Sequence, residues 1–398
     1  MLEAIAGNLL AYVIRDNYLP RFTLRKHMTE TATTTAPKGQ AALLQTRQHF
    51  EILDGLRGVA AVFVVFFHFM EVIFTDATKN FAGHGFLAVD FFFCLSGFVI
   101  AYAYDNRIEK MGTVEFFKSR IIRLHPLVIL GTVLGLLAFL FNPFAPVPET
   151  YTFGRIALIV LTSMLMIPFP VMGETYFNLF GLNAPSWSLF WEYIANIIYG
   201  TILWRFSKKV LLGLLVIAAI WLIYTAKKAG NLLGGWSGGT FLDGGARLSY
   251  SFLAGLLVYR YNFIIKNKLG FPGMAVLLLL ALLTPVTKEP WLIELALVMV
   301  YFPLLVALGA GAQVSNKAVH SVCDFAGKIS YPLYMTHYMV IWIFAAYFNQ
   351  YKPGPSQLSW VVGMGVVSLI GFAYLAMVLY DIPVRKYLTE RRKLNRQG

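Results

Sequence analysis

The sequence predicts an all-α polytopic membrane protein, with about ten transmembrane helices plus one re-entrant or half-span element. Three observations lead there. Of the 398 residues, 58% are hydrophobic and 13% charged, where soluble domains carry about 25% charge. Apolar runs of near-spanning length recur along the chain, separated by short polar loops. The aromatic share of 16% suits a protein with Tyr and Trp at two membrane interfaces. The net charge of +13 reads first as topogenic, because Lys and Arg hold loops on the cytoplasmic side. No basic domain lies outside the apolar runs, so nucleic acid is not an expected partner. The lipid bilayer is.

The elements follow in order. Residues 1–49 are polar and rich in Thr, Ala, Arg and Lys, which predicts a flexible cytoplasmic tail. No signal peptide is expected, because the first long apolar run begins near Ile52 and leads into further spans. The membrane domain is expected over 50–388, followed by a basic cytoplasmic tail at 389–398. Apolar runs lie at about 52–74, 85–104, 124–141, 154–171, 187–205, 210–226, 245–262, 272–286, 291–311, 330–348 and 357–380. The 105–125 loop holds Arg107, Lys110, Lys118, Arg120 and Arg123, which marks it as cytoplasmic. Arg205 with Lys208 and Lys209, and Arg260 with Lys266 and Lys268, mark two more inside loops. Arg385, Lys386, Arg391, Arg392, Lys393 and Arg396 place the C-terminus inside. These marks conflict by one crossing. Five full spans from the N-terminus would put Arg205 outside, whereas counting back from the C-terminus puts it inside. The run 154–171 begins with Arg155 and is broken by Pro168 and Pro170, so it is the one expected not to cross.

The chemistry is expected where ionisable groups enter apolar runs, since such groups are costly in a membrane. Arg57 and His68 share one run, LDGLRGVAAVFVVFFHFMEVIF. Eleven helical steps return to within roughly 20° of the same face and rise about 16 Å. Arg57 is expected at the cytoplasmic surface, paired with Asp54 one turn earlier. His68 is expected near the membrane middle, where a neutral imidazole can take a proton from a hydroxyl. In GFLAVDFFFCLSGF, Gly85, Ser96 and Gly97 allow close helix contact, while Asp90 needs a cationic or hydroxyl partner. Arg120 and Arg123, three apart, can hold phosphate through forked hydrogen bonds. In NAPSWSLFWE, Trp187 and Trp191 suit an interface, and Glu192 needs a cation or an acceptor hydroxyl. A Tyr331–Pro332 break followed by His337 suggests a second wall of a polar site. Cys94 and Cys323 imply neither a disulfide framework nor a metal site, and no cluster has metal-ligand spacing.

These motifs together resemble the membrane-bound acyltransferase-3 family, from about Phe50 to Leu388. The Arg, ten residues, His motif falls at Arg57 and His68. The Gly-xxx-Val-xx-Phe-Phe-xx-Ser-Gly pattern falls at Gly85, Val89, Phe92, Phe93, Ser96 and Gly97. Arg-xx-Arg falls at Arg120 and Arg123. Trp-Ser-Leu-xx-Glu falls at Trp187, Ser188, Leu189 and Glu192, and a Ser-Tyr-Pro-Leu-Tyr element leads to His337. One departure is Arg-Leu-His-Pro at 123–126, where members commonly carry Ile then Tyr before the proline.

The resemblance implies transfer of an acyl group, usually acetyl, from acyl-coenzyme A to a hydroxyl of a carbohydrate or glycosylated acceptor at the bacterial inner membrane. It implies His68, Arg57 and Glu192 as catalytic residues, and Arg57, Arg120, Arg123 and Ser96 on the donor. Asp90, Trp187, Ser188 and His337 are expected on the acceptor side. Some members carry a C-terminal esterase-like domain; this chain ends eighteen residues after Tyr380 and is expected to lack one. The competing reading is a proton-coupled transporter or flippase, with the buried Asp90, Glu192, His68 and His337 as a proton path. The absence of internal repeats counts against it.

Overall fold

The computed structural model describes residues 50–169, 178–314 and 316–394. The expected tail at 1–49, the last two residues of the 154–171 run and the final four residues of the chain lie outside the described residues. The regular structure of the described residues is helical, with one isolated bridge between Asn267 and Ala312. In chain order the helices are α1 (Glu51–Ile73), α2 (Ala88–Tyr104), α3 (Thr113–Leu140), α4 (Phe153–Met164), α5 (Ser186–Thr201) and α6 (Lys208–Ala229). Then come α7 (Phe241–Arg260), α8 (Gly270–Leu282), α9 (Trp291–Gly311), α10 (Lys317–Thr336), α11 (Tyr338–Tyr351) and α12 (Pro355–Leu394).

Six of the described helices are long and apolar enough to cross a membrane: α1, α2 with its preceding turn, α3, α6, α9 and α12. Helix α4 has 12 residues, a rise of about 18 Å against a hydrocarbon thickness of about 30 Å. It is too short to span by itself. Val216, Ile217, Ile220, Trp360, Val367 and Leu379 on α6 and α12 stand exposed. Exposed apolar faces of that extent need lipid, not water, beside them.

Two helix pairs position the site, and in each the members run in the same direction. Helices α1 and α10 meet from Gly58 against Ala326 at one end to His68 against His337 at the other. A side chain at Gly58 would overlap the Ala326 backbone, so the glycine sets how closely the helices approach. Helices α2 and α7 are pinned at both ends by ion pairs. Asp90 meets Arg247 at 2.6 Å and Asp105 meets Arg260 at 2.7 Å, about 22 Å apart along α2. Between these pairs a Cβ on Gly97 would overlap the Phe252 carbonyl oxygen, and one on Gly255 the Cys94 carbonyl oxygen. Gly97 therefore has the packing role expected of it, and so does Gly85, which sits against Phe67.

Helix α1 begins at Glu51, so Arg57 stands about 9 Å inside it. His68 lies about 8 Å from the opposite end of the helix, beyond the middle. Helix α10 runs through Pro332 and breaks at His337 instead, which caps α10 and precedes α11. The basic C-terminal segment is not a separate tail as far as Leu394: α12 continues through it, with a π-helical turn at Met377–Asp381. Arg392 reaches back to Glu115 of α3 at 3.0 Å.

Close α2–α7 packing makes a stability prediction. Gly255→Ala should lower the thermal midpoint of detergent-purified protein, overpacking costing about 1–3 kcal/mol. Gly213→Ala, with open space around it, should leave the midpoint unchanged or slightly raised.

Candidate active site

Two cavities follow α1, one at each end of the Arg57–His68 line. The first, of about 230 Å³, is lined by Arg57, Ser96, Arg120, Arg123, Glu192 and Ser330 among others. Arg57 is heavily tied. Its Nε donates to Ser330 Oγ at 2.9 Å, and its Nη2 donates to the Gly327 carbonyl at 2.8 Å and meets Asp54 at 3.0 Å. The expected Asp54 pair is therefore present, but α10 supplies the other partners. Arg120 is buried, and its Nη2 donates to Glu192 Oε1 at 3.0 Å. Ser96 Oγ donates to the same oxygen at 3.2 Å. Glu192 thus has the cation it needed. Arg120 Nε is buried with no partner among the described residues. Arg123 is exposed at this cavity, near the guanidinium groups of Arg120, Arg57 and Arg385 and the carboxylate of Glu192. Cations packed this way favour an anion between them.

The second cavity, of about 410 Å³, holds the imidazole. Its lining includes His68, Glu71, Trp187, Trp236, Arg247, Tyr334, Tyr338 and Trp342. His68 Nδ1 is 2.5 Å from Glu71 Oε1, one turn later on α1. With Nδ1 engaged, Nε2 is the nitrogen left to the cavity. The ring stacks on His337 at 5.3 Å between centroids and meets Tyr338 edge-on at 4.9 Å. His337 is fully buried, and its Nδ1 faces the carbonyls of Leu333 and Tyr334. It therefore orients His68 by packing.

A family model described as an acyltransferase domain matches residues 50–378. The chain belongs to the acyltransferase-3 family. A protein of Rhizobium radiobacter named "Protein 2 in picA locus" is 33% identical over 189 residues, 45% of this chain and 95% of that one. A peptidoglycan O-acetyltransferase, OatA, of Listeria monocytogenes is 28% identical over 193 residues, 44% of this chain and 29% of the relative. An O-acetyltransferase, OatA, of Staphylococcus aureus is 23% identical over 363 residues, 84% of this chain. That match spans 57% of the relative's length. No solved structure matches.

The acyltransferase-3 motifs are thus distributed over the two cavities. Arg57, Ser96, Arg120, Arg123, Ser188 and Glu192 line the first; His68 and Trp187 line the second. Glu192 pairs with Arg120, a cation as expected, and the carboxylate beside His68 is Glu71. Two positions depart from expectation. Trp187 is buried rather than interfacial, with the Arg247 guanidinium 5.1 Å over its ring. Asp90 lines neither cavity; Arg247 grips its carboxylate through Nε and Nη2. His125 faces the Tyr193 hydroxyl at 3.2 Å.

Sequence reasoning missed Glu71, Arg247, Glu294 and Tyr334. Glu71 was within reach, three residues after His68 on one face. Arg247 and Glu294 hold the wall of the His68 cavity. Arg247 Nη1 donates to the Gly234 carbonyl at 2.8 Å, and Glu294 Oε2 accepts from the Leu232 amide at 2.6 Å. His84 Nε2 stands 3.5 Å from the other oxygen of Glu294. These bonds fix the segment that carries Leu233 and Trp236 into the cavity lining.

Breaking the Asp90–Arg247 pair leaves one buried charge alone, at a cost of about 3–5 kcal/mol. Arg247→Met should therefore lose most folded protein, read by size-exclusion chromatography. Adding Asp90→Leu should restore much of it, because the stranded carboxylate is then gone.

Proposed function

We propose that the protein is an integral membrane O-acetyltransferase, moving an acetyl group from acetyl-coenzyme A to a hydroxyl of a sugar or glycoconjugate. The observation that carries the reading is the division of labour along α1. An arginine cavity lies at one end and a carboxylate-bound imidazole lies in a second cavity at the other. The names of the relatives, peptidoglycan O-acetyltransferase and O-acetyltransferase, support the acyl group and the acceptor class.

The donor fits the first cavity by charge. Coenzyme A is polyanionic at its nucleotide end, and exposed Arg123 with the unpartnered Nε of Arg120 offers N–H donors to phosphate. Arg57 and Ser96 line the same space, and Glu192 orients Arg120. The acceptor fits the second cavity by surface. Trp187, Trp236, Trp342 and Tyr338 supply flat apolar faces, with few polar groups among them, as small-molecule sites do. In this reading the protein works in the bacterial inner membrane with both termini cytoplasmic, the arginine end facing the side where acyl-coenzyme A is made.

His68 Nε2 takes the proton of the acceptor hydroxyl while Glu71 holds Nδ1–H and stabilises the imidazolium. The hydroxyl oxygen attacks the thioester carbonyl and a C–O bond forms. The intermediate collapses, the C–S bond breaks, and the departing thiolate takes the proton from Nε2. A histidine-bound acyl group is the alternative covalent route, and trapping it by acid quench distinguishes the two.

The test uses the purified protein in lipid, with acetyl-coenzyme A and carbohydrate acceptors, following thiol release and product mass. His68→Ala should abolish transfer while the protein stays folded; full activity in that variant would sink the mechanism. Glu71→Gln should lower kcat by about 100-fold or more. Arg123→Ala should raise the KM for acetyl-coenzyme A about tenfold, the loss of one charged hydrogen bond, with kcat little changed.

A further inference from the structure

The two cavities adjoin and share little lining. Of all the residues that line them, Val89 and Tyr334 alone belong to both. Val89 comes from α2 and is buried; Tyr334 comes from α10, one turn before His337. The Tyr334 ring is held in place. Its hydroxyl meets Ser188 Oγ at 2.6 Å, and Ser188 is itself bonded to the Pro185 carbonyl at 3.0 Å. Phe92 meets the ring edge-on at 5.7 Å, and the His337 ring stands 6.0 Å away. The side chain cannot swing aside without giving up the Ser188 bond.

We propose that Tyr334, with Val89 at the same boundary, is the neck that selects a short acyl group. The proposal rests on the reading that an acyl-coenzyme A donor enters the arginine cavity. The thioester carbonyl must then meet the acceptor hydroxyl near this neck, because the donor's anionic end is held on one side and His68 lies on the other. An acetyl group adds one methyl beyond the carbonyl. Each further methylene must push past the tyrosine ring or occupy the space the acceptor needs. A pocket of fixed size discriminates by about 10–200-fold for one methylene. Tyr334 acts here by shape. Its hydroxyl is engaged with Ser188, and the proton chemistry belongs to His68.

The experiment compares acetyl-, butyryl- and octanoyl-coenzyme A as donors for the full chain in lipid. Tyr334→Ala should raise the octanoyl-to-acetyl ratio of kcat/KM at least about tenfold. Val89→Ala should move the ratio the same way, which keeps the test alive if the tyrosine variant does not fold. Tyr334→Phe keeps the ring but gives up the Ser188 bond, and should move the ratio less than Tyr334→Ala does. Acetyl transfer by the native chain with an unchanged ratio in both alanine variants would overturn the neck alone. No transfer from any donor by the native chain would overturn the enzymatic reading, and the selector with it. A second arm reads the neck without any donor. His68→Cys is placed in a Cys94→Ala, Cys323→Ala background in oriented proteoliposomes. A membrane-impermeant maleimide applied from the Arg123 side should label the introduced thiol only when Tyr334→Ala is also present. Labelling from that side with Tyr334 intact would overturn the neck.

Discussion

The packing of α1 on α10 is the constraint on which the rest of the site depends. The two helices run in the same direction and are locked at two points. At one end Arg57 donates to Ser330 and to the Gly327 carbonyl. At the other, His68 stacks on His337. The intervals are nearly equal, eleven residues on α1 and ten from Gly327 to His337. A slip of one turn, about 5.4 Å, would break both contacts together. Gly58 and Gly327 permit the approach, since a side chain on either would strike the partner helix. Register therefore couples the anion end to the proton end. A change at Arg57 acts on the geometry of His68 as well as on the charge of its own cavity.

The polar groups buried elsewhere serve the same geometry from the other side. Asp90, Arg247, His84 and Glu294 lie fully or nearly fully inside, where an isolated charge is expensive. They are tolerable because each has a partner, and the partners are backbone groups of the segment around Leu232 and Gly234 as well as one another. That segment has no helical ladder of its own to satisfy its amides and carbonyls. The buried pairs hold it against the bundle and so shape the cavity wall at Leu233 and Trp236. A transporter using Asp90 as a proton carrier would need that carboxylate free to gain and lose a proton. Its bidentate bond to Arg247 opposes that.

How much of this was legible in the sequence follows from range. The Arg57–His68 line was legible because it depends only on helical periodicity within one element. Arg120 and Arg123, on one helical turn, were legible for the same reason, and so was the short α4, from Arg155 and the prolines after it. The site's partners were not. Arg247 meets Asp90 across 157 positions and Tyr334 meets Ser188 across 146, and no local pattern encodes such a meeting. Asp90 announced that a partner existed without naming it. Trp187 was misread because an aromatic beside a helix entry looks the same whether it faces lipid headgroups or a buried guanidinium. The helix break was misassigned for a local reason. Pro332 lacks the N–H of an interior position, but the surrounding bundle keeps the helix continuous there, and the direction changes five residues later.

The arginines of the first cavity are not equivalent, and the difference bears on which of them meets a ligand. Arg57 spends its Nε and Nη2 on Ser330, Gly327 and Asp54, so most of its hydrogen-bonding capacity is committed to α10 and to its own helix. Arg120 commits one nitrogen to Glu192 and keeps a buried Nε without a partner. Arg123 is exposed, beside three other guanidinium charges. Commitment thus falls from Arg57 to Arg123, while exposure follows another order: Arg120 is buried, Arg57 half-buried and Arg123 exposed. An incoming polyanion meets Arg123, the least committed and most exposed of the three, first. Arg57 then acts chiefly as a fixed post, holding α10 and hence Tyr334 where the neck must be. Binding and selection are in this way divided between helices: free charge on α3 at the mouth, and on α10 a hydrogen-bonded constriction between the donor's end and the imidazole.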